Sequence, residues 1–268
     1  MALFKRKKAQ TDTIINKKNI KLGIKADYVA GTSAGSMVGA LYAAGYSPEQ
    51  MIEELKKLRV KDIRDSKVIW KPSDSSNIEE VLKNIFGKDL MFSELKTPLS
   101  IVAVDIKTGS QVNITSGSVA KASSGSCAIP WAFSPVIYED MHLVDGGLTC
   151  TVPADVVRAM GADVVLAIEV NRKRGSGTDS LKMKDVLSAS LGIIMQANVK
   201  KTLKYADLVL KPDLERFSSS KPGDIDAMVK AGYDAVMENK DRIIKLVTSK
   251  PKGKLIKLFN KLEKVSND

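Results

Sequence analysis

Residues 26 to 45 read ADYVAGTSAGSMVGALYAAG: a short apolar run, a turn crowded with glycine, serine and alanine, and a long stretch of small and apolar residues. An apolar run that ends in glycine and opens a helical pattern is a strand, a tight turn and a helix. Gly31 and Gly35 flank Ser33 at the two places where a sharp strand-to-helix bend has no room for a Cβ, and Thr32, Ala34 and Ser36 fill the rest of it. The G-x-S-x-G spacing thus has a mechanical reason. It lifts the Ser33 hydroxyl out of a bend at a helix start, where the dipole and free N–H groups favour an alkoxide or an oxyanion. A turn that only lets a helix pack closely has the same composition; the strand before it and the helix after it favour the nucleophile.

The chain beyond this point alternates strands and helices. Ser47, Pro48 and Gln50 form a capping box ahead of Met51, Ile52, Leu55 and Leu58 at helical spacing, and Asn77 with Glu80 repeats the pattern for a helix that stops at Gly87. LSIVAVDI (99–106) is the continuous apolar run of a strand covered on both faces, with Thr108-Gly109 turning into QVNIT and Glu139-Asp140 marking a second tight turn. A helix in PADVVRAMG, a strand in ADVVLAIEV, a helix over 181–204, a strand in ADLVLKP and one long helix over 225–248 complete the pattern. Such alternation predicts an α/β fold with a mostly parallel, doubly wound sheet. The 268 residues suit one domain, 1–268, with an atypical basic segment at 1–24 and a basic amphipathic tail at 249–268.

Composition narrows the setting. No run reaches the roughly 18 apolar residues of a membrane-spanning helix, and MALFKRKKAQTD has no apolar core behind its basic residues, so a cytoplasmic protein is expected. Cys127 and Cys150 lack CxxC spacing and histidine-rich neighbours, which speaks against structural zinc or a disulfide framework. The net charge of +11 gathers at both ends. In the tail, Leu255, Leu258, Phe259 and Leu262 share a stripe with lysines mostly off it, a face that packs on the domain or lies on an anionic membrane, peripheral to its inner side. No nucleic-acid-binding fingerprint is present, so nucleic acid is not an expected partner. Nothing in the pattern specifies an oligomer.

A serine nucleophile needs a base. The single histidine, His142, stands three residues before Asp145 in a short strand, so the two side chains should face opposite ways, and no histidine follows Asp145. A carboxylate remains. In HLVDGGLTCTVP, Asp145 closes a strand and is followed by Gly146 and Gly147, where the backbone can pass close to another element; the same residues also read simply as a turn.

With the elbow, the GSCAIPWAFSPV segment and the D-G-G motif in that order, the chain resembles the patatin-like phospholipases, serine acyl hydrolases, over roughly residues 24 to 172. The resemblance implies a three-layer α/β/α fold and a Ser-Asp dyad, with Ser33 as nucleophile and Asp145 as base. It implies acyl esters of phospholipids, lysophospholipids or neutral lipids as substrates, an acyl-enzyme intermediate, and no metal or organic cofactor. The family also carries a glycine-rich loop, G-G-G-x-R-G, after its first strand, whose N–H groups are taken to hold the oxyanion. Residues 1–30 contain only Gly23, so that strand, its loop and most of the following helix are expected to be missing or replaced. The Ala34 N–H is then the identifiable oxyanion donor, and an apolar sheet edge should be exposed. Two functions follow: a lipid acyl-ester hydrolase impaired by the lost loop, or a noncatalytic binding or scaffold protein on the same fold.

Overall fold

The computed structural model describes residues 1–5, 15–16, 19–20, 23–58, 60–63, 72–170, 180, 182–214, 217 and 225–249. In chain order the elements are β1 (Ala2–Lys5), β2 (Ile15–Asn16), β3 (Asn19–Ile20), β4 (Tyr28–Thr32), α1 (Ala34–Ala44), α2 (Pro48–Lys57), α3 (Val60–Ile63), α4 (Ser76–Phe86), β5 (Leu99–Asp105) and β6 (Ser110–Ile114). There follow α5 (Val119–Ser126), β7 (Val136–Tyr138), β8 (Met141–Asp145), α6 (Ala154–Ala159), β9 (Val164–Ile168), α7 (Met183–Leu203), β10 (Leu208–Leu210), α8 (Ile225–Glu238) and α9 (Lys240–Thr248). The main sheet has the order β10-β9-β1-β4-β5-β8-β7 with β6 also paired to β5, while β2 and β3 form a separate ribbon.

Side-chain alternation along the strands divides the core into two layers. Val29, Ile101 and Ala103 of β4 and β5 pack with Ala40 of α1, Ile78 of α4 and Val119 of α5. Their neighbours Ala30 and Val102 face the other way and join Val165 and Ala167 of β9, Val157 of α6 and Val199 of α7. Helices therefore cover both faces, and the architecture is the three-layer α/β/α arrangement. Parallel pairing is found at β4–β5 and β9–β10. The remaining five pairs of this sheet are antiparallel, so it is mixed where a mostly parallel sheet was expected: tight turns join β5 to β6 and β7 to β8, β8 returns along β5, and β1 enters reversed.

That reversed strand corrects the expectation of an open central position. Ala2 stands opposite both Ala30 of β4 and Ala167 of β9, antiparallel to each, so the first residues of the basic segment bridge the two halves of the sheet. The backbone groups that a gap would leave bare are paired along β1, and no sheet edge opens there. Chain direction is what sets β1 apart from a first strand that would lead into a loop at the elbow.

Other boundaries moved for local reasons. The capping box at Ser47 and Gln50 forms with both hydrogen bonds, at 3.2 and 2.8 Å. By contrast α4 begins two residues before the Asn77 cap would start it, because Asp74 accepts the Ser76 N–H at 2.9 Å. The long C-terminal helix is two helices, α8 and α9, broken at Asn239, whose φ of −105° and ψ of 9° leave the helical region. The helix α5 had no apolar periodicity to announce it. Of the tail at 249–268, residues 250–268 lie outside the described residues.

Candidate functional site

Strand register assembles the site. β4 runs parallel to β5 and ends with Thr32 opposite Val102, while β8 runs antiparallel to β5 and ends with Asp145 opposite Ala103. The C-terminal ends of β4 and β8 therefore arrive at adjacent residues of one strand, and the residues that follow them, Ser33 and Gly146, leave the sheet side by side. Contact is close: a Cβ on Gly146 would stand 2.3 Å from the Val102 carbonyl oxygen and 3.0 Å from the Thr32 methyl. Only glycine fits after Asp145.

Ser33 has φ 52° and ψ −130°, a conformation that non-glycine residues rarely adopt and that the surroundings must hold in place. The bend closes on itself so tightly that a Cβ on Gly31 would lie 2.3 Å from the Gly35 carbonyl oxygen. The crowding of small residues around one hydroxyl is thus a requirement of the elbow. Below it the Thr32 hydroxyl donates to the Cys150 carbonyl at 2.9 Å, tying the end of β4 to the chain that follows the D-G-G turn. Above it α1 begins. Its first N–H groups, those of Ala34 and Gly35, have no acceptor within the helix, whereas the Ser36 N–H is bound to the Ser33 carbonyl at 2.7 Å.

Asp145 is fully buried. Its Oδ1 accepts the Gly147 N–H at 2.7 Å, and its own N–H donates to the Ala128 carbonyl at 3.0 Å. Oδ2 is buried with no hydrogen-bond partner. Burial raises the pKa of this carboxyl to about 6, with the nearby Ser33 hydroxyl and the Gly147 N–H pulling the other way. A Cβ on Gly147 would meet Met195 Cε at 2.5 Å, so α7 closes directly over the turn.

The segment between α5 and β7 joins the two halves of the site, a role that sequence reasoning missed. Ser126, fully buried at the end of α5, accepts the Ser33 N–H on its Oγ at 2.8 Å and donates to the Val102 carbonyl at 2.6 Å. Two residues later Ala128 holds Asp145. The signal was the run SSGS before CAIP, a cluster of hydroxyls where a helix should be apolar. Cys127 beside them is no rival nucleophile, since burial, with the charge of Asp145 adding, pushes its thiol up to about 12.

Ser33, Ala34, Gly35, Asp145 and Gly147 line one cavity of about 190 Å³, whose other walls include Ile168, Val170 and Met195. His142 is exposed on β8, and its N–H donates to Asp105 Oδ1 at 3.0 Å, away from this cavity. A larger cavity of about 400 Å³ between α2 and α4, lined by Glu54, Asp62 and Glu80 among others, holds no serine or cysteine.

Comparison with known proteins points to one family. The family model for patatin-like phospholipase matches residues 8–158. Patatin-like phospholipase domain-containing protein 7 of Rattus norvegicus is 27% identical over 248 residues, covering 79% of this chain and 18% of its own length. Patatin-like phospholipase domain-containing protein 6 of Homo sapiens is 25% identical over 257 residues with the same two shares. An uncharacterized NTE family protein of Mycobacterium tuberculosis is 24% identical over 237 residues, covering 78% of this chain and 40% of its own length. The chain spans less than half the length of these relatives.

Proposed function

Since this chain belongs to the patatin-like phospholipase family, we propose that it hydrolyses lipid acyl esters with Ser33 as nucleophile and Asp145 as base. Asp145 Oδ2 takes the hydroxyl proton as Ser33 Oγ bonds to the ester carbonyl carbon. The negative charge on the carbonyl oxygen is met by the N–H groups of Ala34 and Gly35 at the start of α1. Collapse breaks the bond to the alcohol, which leaves with the proton from Asp145. Water then attacks the acyl-Ser33, Asp145 receives its proton, and the fatty acid departs as that proton returns to Ser33. The observation that carries this reading is one buried carboxylate oxygen without a partner, in the same cavity as a serine held in an elbow.

Labelling with a fluorophosphonate probe tests it, since the probe reports an activated serine whatever the true substrate. Wild type should label, and Ser33→Ala and Asp145→Ala should not. A folded wild type that stays unlabelled would sink the proposal.

One observation favours a second reading, a noncatalytic binding or scaffold protein. β1 is reversed, so Met1 is the end beside the elbow, its Cα 3.7 Å from where a Gly35 Cβ would stand. Lys5 ends β1 on the side of the sheet away from the elbow, so this strand does not lead into the site as one of the opposite direction would. An unlabelled wild type would turn attention to this reading.

A further inference from the structure

We infer that the outward face of α7 is a docking surface for an anionic phospholipid membrane. A helix at a protein surface normally shows water a polar face. This one does the reverse. Met183, Val186, Ile193 and Ile194 are 59, 40, 48 and 46% exposed, the largest group of bulky apolar side chains exposed on one helix among the described residues. Together with Ser190 and Ala197, also exposed, they recur at intervals of three and four and so share one stripe. Lys200 and Lys201, both exposed, continue it toward the C-terminal end. The one acidic residue of the helix, Asp185, is engaged by the Ser180 hydroxyl at 2.5 Å.

The opposite face of α7 is fixed to the candidate site. Asn198 Nδ2 donates to the Leu148 carbonyl at 2.6 Å, the Thr151 hydroxyl donates to the Met195 carbonyl at 2.9 Å, and Met195 walls the cavity of Ser33 and Asp145. Val170, on the same cavity, is 54% exposed. A surface bound to the outer stripe therefore lies one helix, about 10 Å, from the reacting groups.

An anionic bilayer fits this face by its chemistry. Apolar side chains enter the acyl boundary, while lysines at the end of the stripe reach up to the phosphates. The net charge of +11 draws the chain to such a surface. The inference rests on the lipid-ester reading for its purpose, but its test does not.

Flotation of the full chain with vesicles of phosphatidylcholine, with or without phosphatidylglycerol, decides it. Wild type should float with the mixed vesicles, and added salt should weaken this. The double variant Ile193→Gln with Ile194→Gln, which keeps good helix formers, should bind about ten-fold or more weakly. Lys200→Glu with Lys201→Glu should lose most of the preference for phosphatidylglycerol. Ile137→Gln, which removes an exposed isoleucine on β7, should bind as wild type. Stripe variants that float as well as wild type would overturn the inference and assign any binding to another segment. So would a wild type indifferent to vesicles, or one that forms a dimer which the isoleucine variant splits. Ser33→Ala should float unchanged, so a chain that floats yet never labels would refute the hydrolase reading and leave this one standing.

Discussion

Asparagine at position 145 should make the protein more stable and abolish its serine reactivity, and the size of the gain can be worked from the site. Asp145 is fully buried, with one hydrogen bond to Oδ1 and none to Oδ2. A carboxyl raised from 3.8 to about 6 corresponds to about 3 kcal/mol held against the charged folded state. The folded protein keeps this proton longer than the unfolded chain. Wild-type stability is therefore undiminished below pH 3.8, falls as pH rises to about 6, and is level above that. Asparagine keeps the shape and the acceptor for the Gly147 N–H, and carries no charge. Its amide brings two donors where the carboxylate had none; the nearby Ser33 hydroxyl accepts one, and the other, left unpaired, costs about 1 kcal/mol, which leaves a net gain near 2 kcal/mol at pH 8. Urea unfolding of both proteins at pH 8 and pH 4.5 measures it: the advantage should be present at pH 8 and shrink markedly at pH 4.5. In parallel, wild-type labelling should rise as Asp145 ionises around pH 6, and Asp145→Asn should not label at any pH. An asparagine variant less stable than wild type at pH 8, or a gap that does not change with pH, would show that the buried carboxylate is not the burden described.

Two further substitutions separate positioning from mere packing. Ser126→Ala leaves the Ser33 N–H and the Val102 carbonyl unpaired and should cost about 1–3 kcal/mol while slowing the labelling rate; Ser124→Ala, which removes the bond to the Ser75 carbonyl from the same helix, should cost a similar amount in a denaturation curve and leave labelling alone. Equal labelling in both would remove Ser126 from the site. Gly146→Ala should fail to fold or lose several kcal/mol, because its Cβ would press on backbone at 2.3 Å. Gly87→Ala, where φ is +71° but nothing lies within 4 Å, should cost only about 1 kcal/mol by circular dichroism melts.

The parts of the site that were legible in the sequence are those where a steric demand shows up as composition. An elbow that closes to 2.3 Å admits only glycine at Gly31, and the turn after Asp145 admits only glycine at Gly146, so both motifs stand out without any knowledge of what they touch. β5 was legible for a similar reason: seven buried residues in a row leave no polar position. What stayed hidden depends on distant partners. ALFK is too short to declare a strand, and its direction is set by β4 and β9, which lie far along the chain. Ser126 looks like any surface serine until 93 residues of separation from Ser33 are folded away. The stop at Asn239 is a single backbone kink inside a periodic run, and periodicity alone reads through it.

In the proposed mechanism the nucleophile and base are aligned by one piece of the fold, and the oxyanion would be met by another. Ser33 and Asp145 are brought together by the meeting of β4 and β8 on β5, with Ser126 and Ala128 fastening the joint; no residue of β1 takes part. The reversed β1 can therefore complete the sheet without disturbing the proposed dyad, and its Lys5 end leads away from the site. Removing an oxyanion donor costs about a hundred to a thousandfold in turnover, a loss that would leave the acidity of Asp145 and the accessibility of Ser33 unaltered. A site short of such donors is expected to label and to turn over esters slowly, because the probe's phosphoryl oxygen draws on the same N–H groups. Labelling and ester turnover measured on the same preparation would separate an impaired hydrolase from an inert scaffold, since the scaffold would show neither.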